Sequence, residues 1–71
     1  MAAKNWQSDP ATIKGIIDQI QAAGFNVEVD TKDRRLRASG KGITTSVPYM
    51  SGQEASQAVA LARKLGVLLK R

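Results

Sequence analysis

The chain of 71 residues contains no cysteine and no histidine. Without cysteine it can form no disulfide and offers no thiolate ligand, and without histidine it lacks the commonest ligand of zinc and iron. The same absences remove the cysteine nucleophile and the histidine general base. Only six acidic residues are present, and they are scattered along the chain. The sequence therefore argues against a metal site, a cofactor and enzymatic activity.

Aromatic residues and long apolar runs are also scarce. The chain has one Trp, one Tyr and one Phe, too few for a surface that stacks successive bases of a single strand. The longest aliphatic run, residues 67–69, is far too short to span a membrane, and no apolar signal segment follows Met1. We therefore expect a cytoplasmic protein that does not bind membranes.

Charge is divided unevenly along the sequence. Residues 1–30 have a net charge of −2 and residues 31–71 a net charge of +7, which together give the overall +5. Five cations fall within ten consecutive residues: Lys32, Arg34, Arg35, Arg37 and Lys41. Positive charge concentrated in this way offers a footprint to a polyanion.

A first helix is predicted over residues 10–23. Ser8 or Asp9 supplies a capping oxygen, and Pro10 suits the first helical position because its missing N–H would have no partner there. Isoleucines recur at the spacing i, i+3, i+4, i+7, at Ile13, Ile16, Ile17 and Ile20. Gly24 then ends the helix as a left-handed residue.

A second helix follows the pattern Ser51-x-x-Glu54, which predicts a capping box. Its inner stripe consists mainly of small side chains, at Ala55, Ala58, Val59, Ala62 and Leu65, with Leu61 beside it. Small residues let such a helix lie close to a sheet. Gly66 is either the left-handed residue after this helix or a glycine within it.

Three strands are predicted between the helices, over residues 25–30, 34–39 and 43–47, because apolar and polar residues alternate there. Thr45 and Ile43 would face inward with Val47, and Pro48 would close the third strand or lie at an edge. A tight turn near Lys32 and Asp33 sets one register for the first hairpin. The predicted cross-strand pairs are Val29 with Leu36, Val27 with Ala38, Asp30 with Arg35 and Glu28 with Arg37.

These elements predict an α+β fold of order α-β-β-β-α, with a three-stranded antiparallel meander and both helices on one face. Residues 8–71 would form a single domain, preceded by a flexible arm over residues 1–7 that contains Trp6. The opposite face of the sheet is wholly polar and open to water or a ligand.

The element order and three short segments resemble the small HicA-type toxins, which share the fold of double-stranded-RNA-binding domains. The segments are Ala23-Gly24-Phe25, Ser46-Val47-Pro48 and Leu65-Gly66-Val67. By this resemblance the family's G-S-H catalytic motif falls on Lys32, Asp33 and Arg34. Histidine is absent, so RNA cleavage by that route is not expected. The K-K-x-A-K cluster of double-stranded-RNA-binding domains is likewise replaced, by Ser51-Gly52-Gln53-Glu54.

A second resemblance covers residues 25–65. Three strands followed by an E-A-x-x-A helix, here Glu54-Ala55-Ser56-Gln57-Ala58, are similar to the arm-binding domains of phage integrases and to AP2 domains. Those domains insert the free face of the sheet into the DNA major groove. The first helix of this chain is extra relative to that family.

The leading functional hypothesis is a non-catalytic nucleic-acid-binding module, such as a small regulatory or mobile-element protein. Its predicted contacts with DNA or RNA are Lys32, Arg34, Arg35, Arg37 and Lys41, with Trp6, Arg63 and Lys64 as secondary contacts. Each assignment has a structural alternative. Arg35 and Arg37 would pair with Asp30 and Glu28, Lys41 would be a soluble turn residue, Arg63 and Lys64 would match the helix dipole, and Trp6 would cover the edge of the core.

The rival hypothesis is a protein-interaction module, such as a phage-type inhibitor or a toxin-like relic. Its basic surface would occupy an acidic or nucleic-acid-binding protein. The two open edges of a three-stranded sheet are compatible with a monomer or a homodimer. The residues alone leave the choice between DNA and RNA open.

Overall fold

The computed structural model describes residues 8–69. The elements are α1 (Pro10–Ala22), β1 (Asn26–Asp30), β2 (Arg35–Gly40), β3 (Ile43–Pro48) and α2 (Glu54–Leu65). This order confirms the predicted α-β-β-β-α arrangement of an α+β fold. The arm predicted over residues 1–7, with Trp6, lies outside the described residues, as do Lys70 and Arg71.

The three strands form one antiparallel sheet in the order β1-β2-β3. The register of the first hairpin is the predicted one, with Val29 opposite Leu36 and Glu28 opposite Arg37. In the second hairpin Leu36 lies opposite Val47. Burial along β2 alternates strictly at first, since Leu36 is buried while Arg37 is exposed. One face of the sheet is therefore dry and the other is open.

Both helices cover the dry face of the sheet. Ile16 and Ile20 of α1 are buried there, and α2 contributes three alanines and two leucines to the same core. The largest completely buried side chains come from both helices and from the two strands beneath them: Ile20, Leu61, Leu36 and Val47. The small side chains of α2 let its backbone lie close to β2 and β3, as the sequence predicted.

The junction between α1 and β1 packs against the end of β2. The chain leaves α1 through Gly24, which has a positive φ of +100°, and the next residue, Phe25, is buried. A Cβ atom on Gly40 would lie only 2.7 Å from the carbonyl oxygen of Gly24 and 3.0 Å from the Phe25 ring. Position 40 therefore accepts only glycine without a backbone shift.

The predicted capping box at the start of α2 is wrong. The helix begins at Glu54 with Gln53 as its N-cap, and Ser51 lies in the preceding turn. That turn is closed by the Gln53 N–H, which donates to the Met50 carbonyl at 3.0 Å. Residues 50–53 thus form a β-turn. Gly52, its third residue, has a φ of 83°, the positive value that a type II turn requires at this position and that glycine adopts readily. Turn formation therefore takes the serine out of capping position.

The end of α2 is a Schellman motif, which decides the role of Gly66. Gly66 has a φ of +74°, and its N–H donates to the Arg63 carbonyl at 3.1 Å. The Val67 N–H donates to the Ala62 carbonyl at 2.9 Å. Gly66 is thus the left-handed residue that follows the helix.

Other differences from prediction lie at the ends of α1 and of the strands. α1 ends at Ala22, one residue earlier than predicted, and its N-cap Asp9 makes no side-chain capping hydrogen bond. Val29 lies opposite the buried Leu36 as predicted but is itself 46% exposed. β1 begins one residue later than predicted, and β2 begins at Arg35 because Arg34 has a φ of +53° and completes the turn. β3 extends to Pro48, which closes an edge strand. Ile43 was predicted to face inward, but it is 41% exposed because it opens that edge strand beside a surface groove.

Tyr49 links the sheet to the start of α2. Its N–H donates to the Arg34 carbonyl at 2.8 Å, which continues the pairing beyond Pro48. Burial raises the pKa of Tyr49, and the negative charge of Glu54 raises it further. One carboxylate oxygen of Glu54 is itself buried and has no hydrogen-bond partner among the described residues.

Neither described helix is long and apolar enough to cross a membrane.

The close contact at Gly40 predicts opposite effects for two glycine-to-alanine changes. Gly40→Ala should destabilise the protein by about 1–3 kcal/mol because its Cβ meets backbone atoms. Gly15→Ala, in the interior of α1 with nothing within 4 Å of its Cβ position, should stabilise it by about 0.5–1 kcal/mol. Urea unfolding of both variants measures the difference. Equal stabilities would contradict the close approach.

The environment of Tyr49 predicts a loss of stability in alkali. Because folding raises this pKa, the folded state holds the phenolic proton more tightly than the unfolded state does. The contribution of Tyr49 to the free energy of unfolding is therefore fully present below its ordinary pKa of 10.0. It is lost as the pH rises through the pKa of the folded state. Tyr49→Phe should flatten this loss.

The chain has a single tyrosine, so the absorbance of tyrosinate reports this pKa directly. Glu54→Gln should lower the pKa towards its ordinary value while leaving the contribution of burial. An unchanged titration curve in that variant would show that Glu54 does not act on Tyr49.

Candidate nucleic-acid interface

The first turn, residues 31–34, is shaped by Asp30. One oxygen of its carboxylate accepts the N–H of Lys32 at 3.0 Å and the N–H of Asp33 at 2.9 Å. An aspartate that binds the backbone after it in this way is a common device for closing a turn. The turn holds Lys32 and Arg34 exposed at one end of the sheet.

Arg37 forms ion pairs with acids of its own hairpin. Its guanidinium lies 3.4 Å from a carboxylate oxygen of Asp30 and 3.5 Å from one of Asp33. The predicted partner was Glu28, which is directly opposite in the register. Asp30 is the diagonal neighbour, which a long side chain can reach on the same face. In the described part of the chain, Glu28 forms no ion pair.

Arg35 also differs from its predicted pairing. It lies opposite Asp30 in the register, but its guanidinium donates to the Ser46 hydroxyl at 3.5 Å. Among residues 8–69, none of Lys32, Arg34 and Arg35 forms an ion pair. These three cations are exposed and define the cationic turn end of the sheet.

The charge of this region is smaller than the cation count implies. The open face and first turn together carry four cations and three acids, a net charge of +1. The cations are Lys32, Arg34, Arg35 and Arg37, and the acids are Glu28, Asp30 and Asp33. Any polyanion bound here would be held by local contacts, because the acids weaken the attraction at a distance.

Lys41 is separated from the other predicted contacts. It lies in the turn after β2, and the six residues of that strand place it about 20 Å from the first turn. Its ammonium is 5.4 Å from the centre of the Phe25 ring, and its side chain lies against Gly24 at the end of α1. The last turn of α1 contains no basic residue, so Lys41 supplies the cation that this helix end favours.

Arg63 and Lys64 lie in the last turn of α2 and are exposed. Cations in the last turn of a helix interact favourably with its dipole, which is the structural role considered for these two residues as an alternative to nucleic-acid contact. Neither forms an ion pair within the described residues. They lie near the end of the sheet that holds Lys41, since α2 ends beside the groove that Lys41 lines. Lys14, in contrast, is paired with Asp18 at 2.8 Å on the outer face of α1.

The structure thus divides the predicted site between two ends of the molecule. Lys32, Arg34 and Arg35 come together, Arg37 is near them but paired, and Lys41 is remote. Sequence reasoning missed the roles of Asp30 and Asp33 as partners of Arg37 and of Phe25 as partner of Lys41. An aspartate just before a turn was the available signal for the first of these.

No group of three or more acidic side chains in residues 8–69 is arranged to hold a metal ion. Comparisons with protein-family models, with curated proteins and with solved structures give no match to this chain. The resemblances to HicA-type toxins and to integrase arm-binding domains therefore rest on the element order and the quoted segments.

The contacts of Lys41 predict a structural effect for its substitution. Lys41→Gln keeps a side chain at the strained φ of +51° and removes only the charge. It should destabilise the protein by about 0.5–1 kcal/mol through loss of the ring and helix-end interactions. Unfolding in low and high salt measures this effect, which should shrink as salt rises. A variant as stable as the parent protein in low salt would contradict the assignment.

Proposed function

We propose that this chain is a nucleic-acid-binding module without catalytic activity. It contacts the phosphate backbone through the cationic turn end of its open sheet face. The observation that supports this proposal is the group of three exposed cations without ion pairs, Lys32, Arg34 and Arg35. We place the protein in the cytoplasm, as its composition indicates.

The two adjacent arginines give the interface its chemistry. A guanidinium presents a planar fork of N–H donors that matches the oxygens of a phosphate group. Arg34 leaves the turn in a left-handed conformation and Arg35 opens β2. Lys32 adds a compact charge at the tip of the same turn. Together they can contact neighbouring phosphates along one strand of a duplex.

Arg37 is a conditional contact. Its ion pairs lie at 3.4 and 3.5 Å, and half of its side chain is exposed. Exposed pairs of this kind contribute only about 0.2–1 kcal/mol. A phosphate can therefore replace Asp33 as its partner. Asp30 and Asp33 limit the affinity because they lie beside every cation of this end.

The open face favours a duplex over a single strand. Its outward residues are polar or charged, and none of those on β1, β2 and β3 is aromatic. Stacking of unpaired bases needs aromatic side chains. A polar sheet face with cations at one end can instead lie along the backbone of duplex DNA or duplex RNA.

The number of contacts predicts the salt dependence of binding. Three neutralised phosphates give a slope of log K against log salt of about −3 on duplex DNA, whereas all five predicted cations would give about −4.5. Arg34→Gln and the double variant Arg34→Gln/Arg35→Gln should each weaken binding and reduce this slope. Fluorescence anisotropy with a labelled duplex, over a series of salt concentrations, measures both.

Lys14→Gln is the matched control, because it removes one charge from a residue paired on the outer face of α1. It should leave the slope unchanged. Equal losses in the Lys14 and Arg34 variants would mean that only overall charge matters. A binding constant insensitive to salt would contradict the interface altogether.

A further inference from the structure

A second surface lies at the other end of the molecule, around Leu68. This residue is 91% exposed, more than any other large apolar residue in the described part of the chain. Its neighbours Val67 and Leu69 are partly buried and pack against the core. The three residues therefore form a fixed apolar ridge, which we term the C-terminal ridge, with Leu68 on its outer side.

A groove lies on each side of the C-terminal ridge, and both are lined by Leu68 and Val67. The first groove, between α1 and α2, has a volume of about 870 Å³ and includes Gly15 and Val59 in its walls. Gly15 leaves it open, because a Cβ atom there would meet nothing within 4 Å. The second, of about 620 Å³, is lined by Phe25 and Ile43. Each can accept large aliphatic side chains.

Among the described residues, the charged side chains that line these grooves are all basic, although the Asp9 carboxylate lies 2.9 Å from the hydroxyl of Thr12 in the wall of the first groove. Arg63 lines the first groove and Lys41 the second, and no acidic residue is found among the described residues that line either. Lys64 lies in the same helical turn as Arg63, and Lys70 and Arg71 follow the ridge in the sequence. The cationic turn end differs in both respects, because acids neutralise most of its charge and it borders a polar face.

We propose that the C-terminal ridge and its two grooves bind an acidic amphipathic helix of a partner protein. Leucine-like side chains of that helix would fill the grooves on either side of Leu68, and its carboxylates would pair with Arg63 and Lys41. A phosphate backbone has no apolar group to fill these grooves. A second copy of this chain would bring like charges together.

The test uses a synthetic helical peptide of about four turns, with leucines on one face and glutamates on the other. We expect it to bind the chain of 71 residues and to shift the methyl resonances of Leu68, Val67 and Val59. Leu68→Ser should weaken binding about tenfold or more, because a buried leucine contact is lost. Arg63→Gln should weaken it less, and more strongly at low salt.

Two controls separate this surface from the general properties of the chain. Met50→Ser removes an exposed apolar side chain elsewhere on the molecule (53% exposed), and Lys14→Gln removes a charge that lines neither groove. Both should leave peptide affinity unchanged. A peptide with glutamine in place of every glutamate should bind weakly, which would support the role of charge.

Four results would overturn the proposal. Binding that survives Leu68→Ser would place the peptide elsewhere. Self-association of the chain that Leu68→Ser abolishes would assign the grooves to a second copy. Binding to vesicles of anionic lipid that depends on Leu68, without peptide binding, would assign the ridge to a membrane surface. If Trp6→Ala shifts the same methyl resonances as the peptide does, the first seven residues of the chain are the occupant.

Discussion

The burial of one face of the sheet beneath two helices is the constraint on which the rest of this structure depends. Leu36 and Val47 face each other across β2 and β3 and are almost completely buried. Because side chains alternate along a strand, fixing these two residues inward turns Arg35 and Arg37 outward. The apolar core thus determines which cations can meet a ligand. A shift of register by one residue would bury the arginines and expose the leucine.

The same constraint explains why the sequence predicted the fold well. Apolar and charged residues agreed on one register for the first hairpin, and the structure has that register. Periodicity in α1 and α2 likewise identified most of the residues that pack in the core, although Ile17 of the predicted α1 stripe is not among them. Each of these signals arises from burial of a regular pattern, so it can be recognised within a short stretch of sequence.

The failures have a common physical cause, which is competition between local partners. Ser51 can cap a helix or lie in a turn, and the positive φ of Gly52 decides for the turn. Arg37 can reach the acid directly opposite or the one diagonal to it, and the second lies nearer to its guanidinium. Differences in energy between such alternatives are small. Backbone geometry decides the first case and side-chain geometry the second, and sequence spacing reveals neither.

The number of cations in a stretch of sequence likewise does not reveal how they are distributed over the folded surface. The five clustered cations suggested one basic site, yet β2 separates Lys41 from the others and three acids accompany those that remain. The two ends of the molecule consequently differ in kind. One is polar and nearly balanced in charge, and the other is apolar and cationic. A fold of this size can thus present two unlike surfaces.

The meander also has a consequence for how the chain reaches its native state. Its three strands are consecutive in sequence, so both hairpins form from nearby residues and close short loops. In contrast, Ile16 and Ile20 meet the buried face of α2 only after the chain between them has folded back. We therefore expect α1 to dock late and to be the first element to open. Amide protons of α1 would then exchange with solvent sooner than those of β2, which lies at the centre of the sheet.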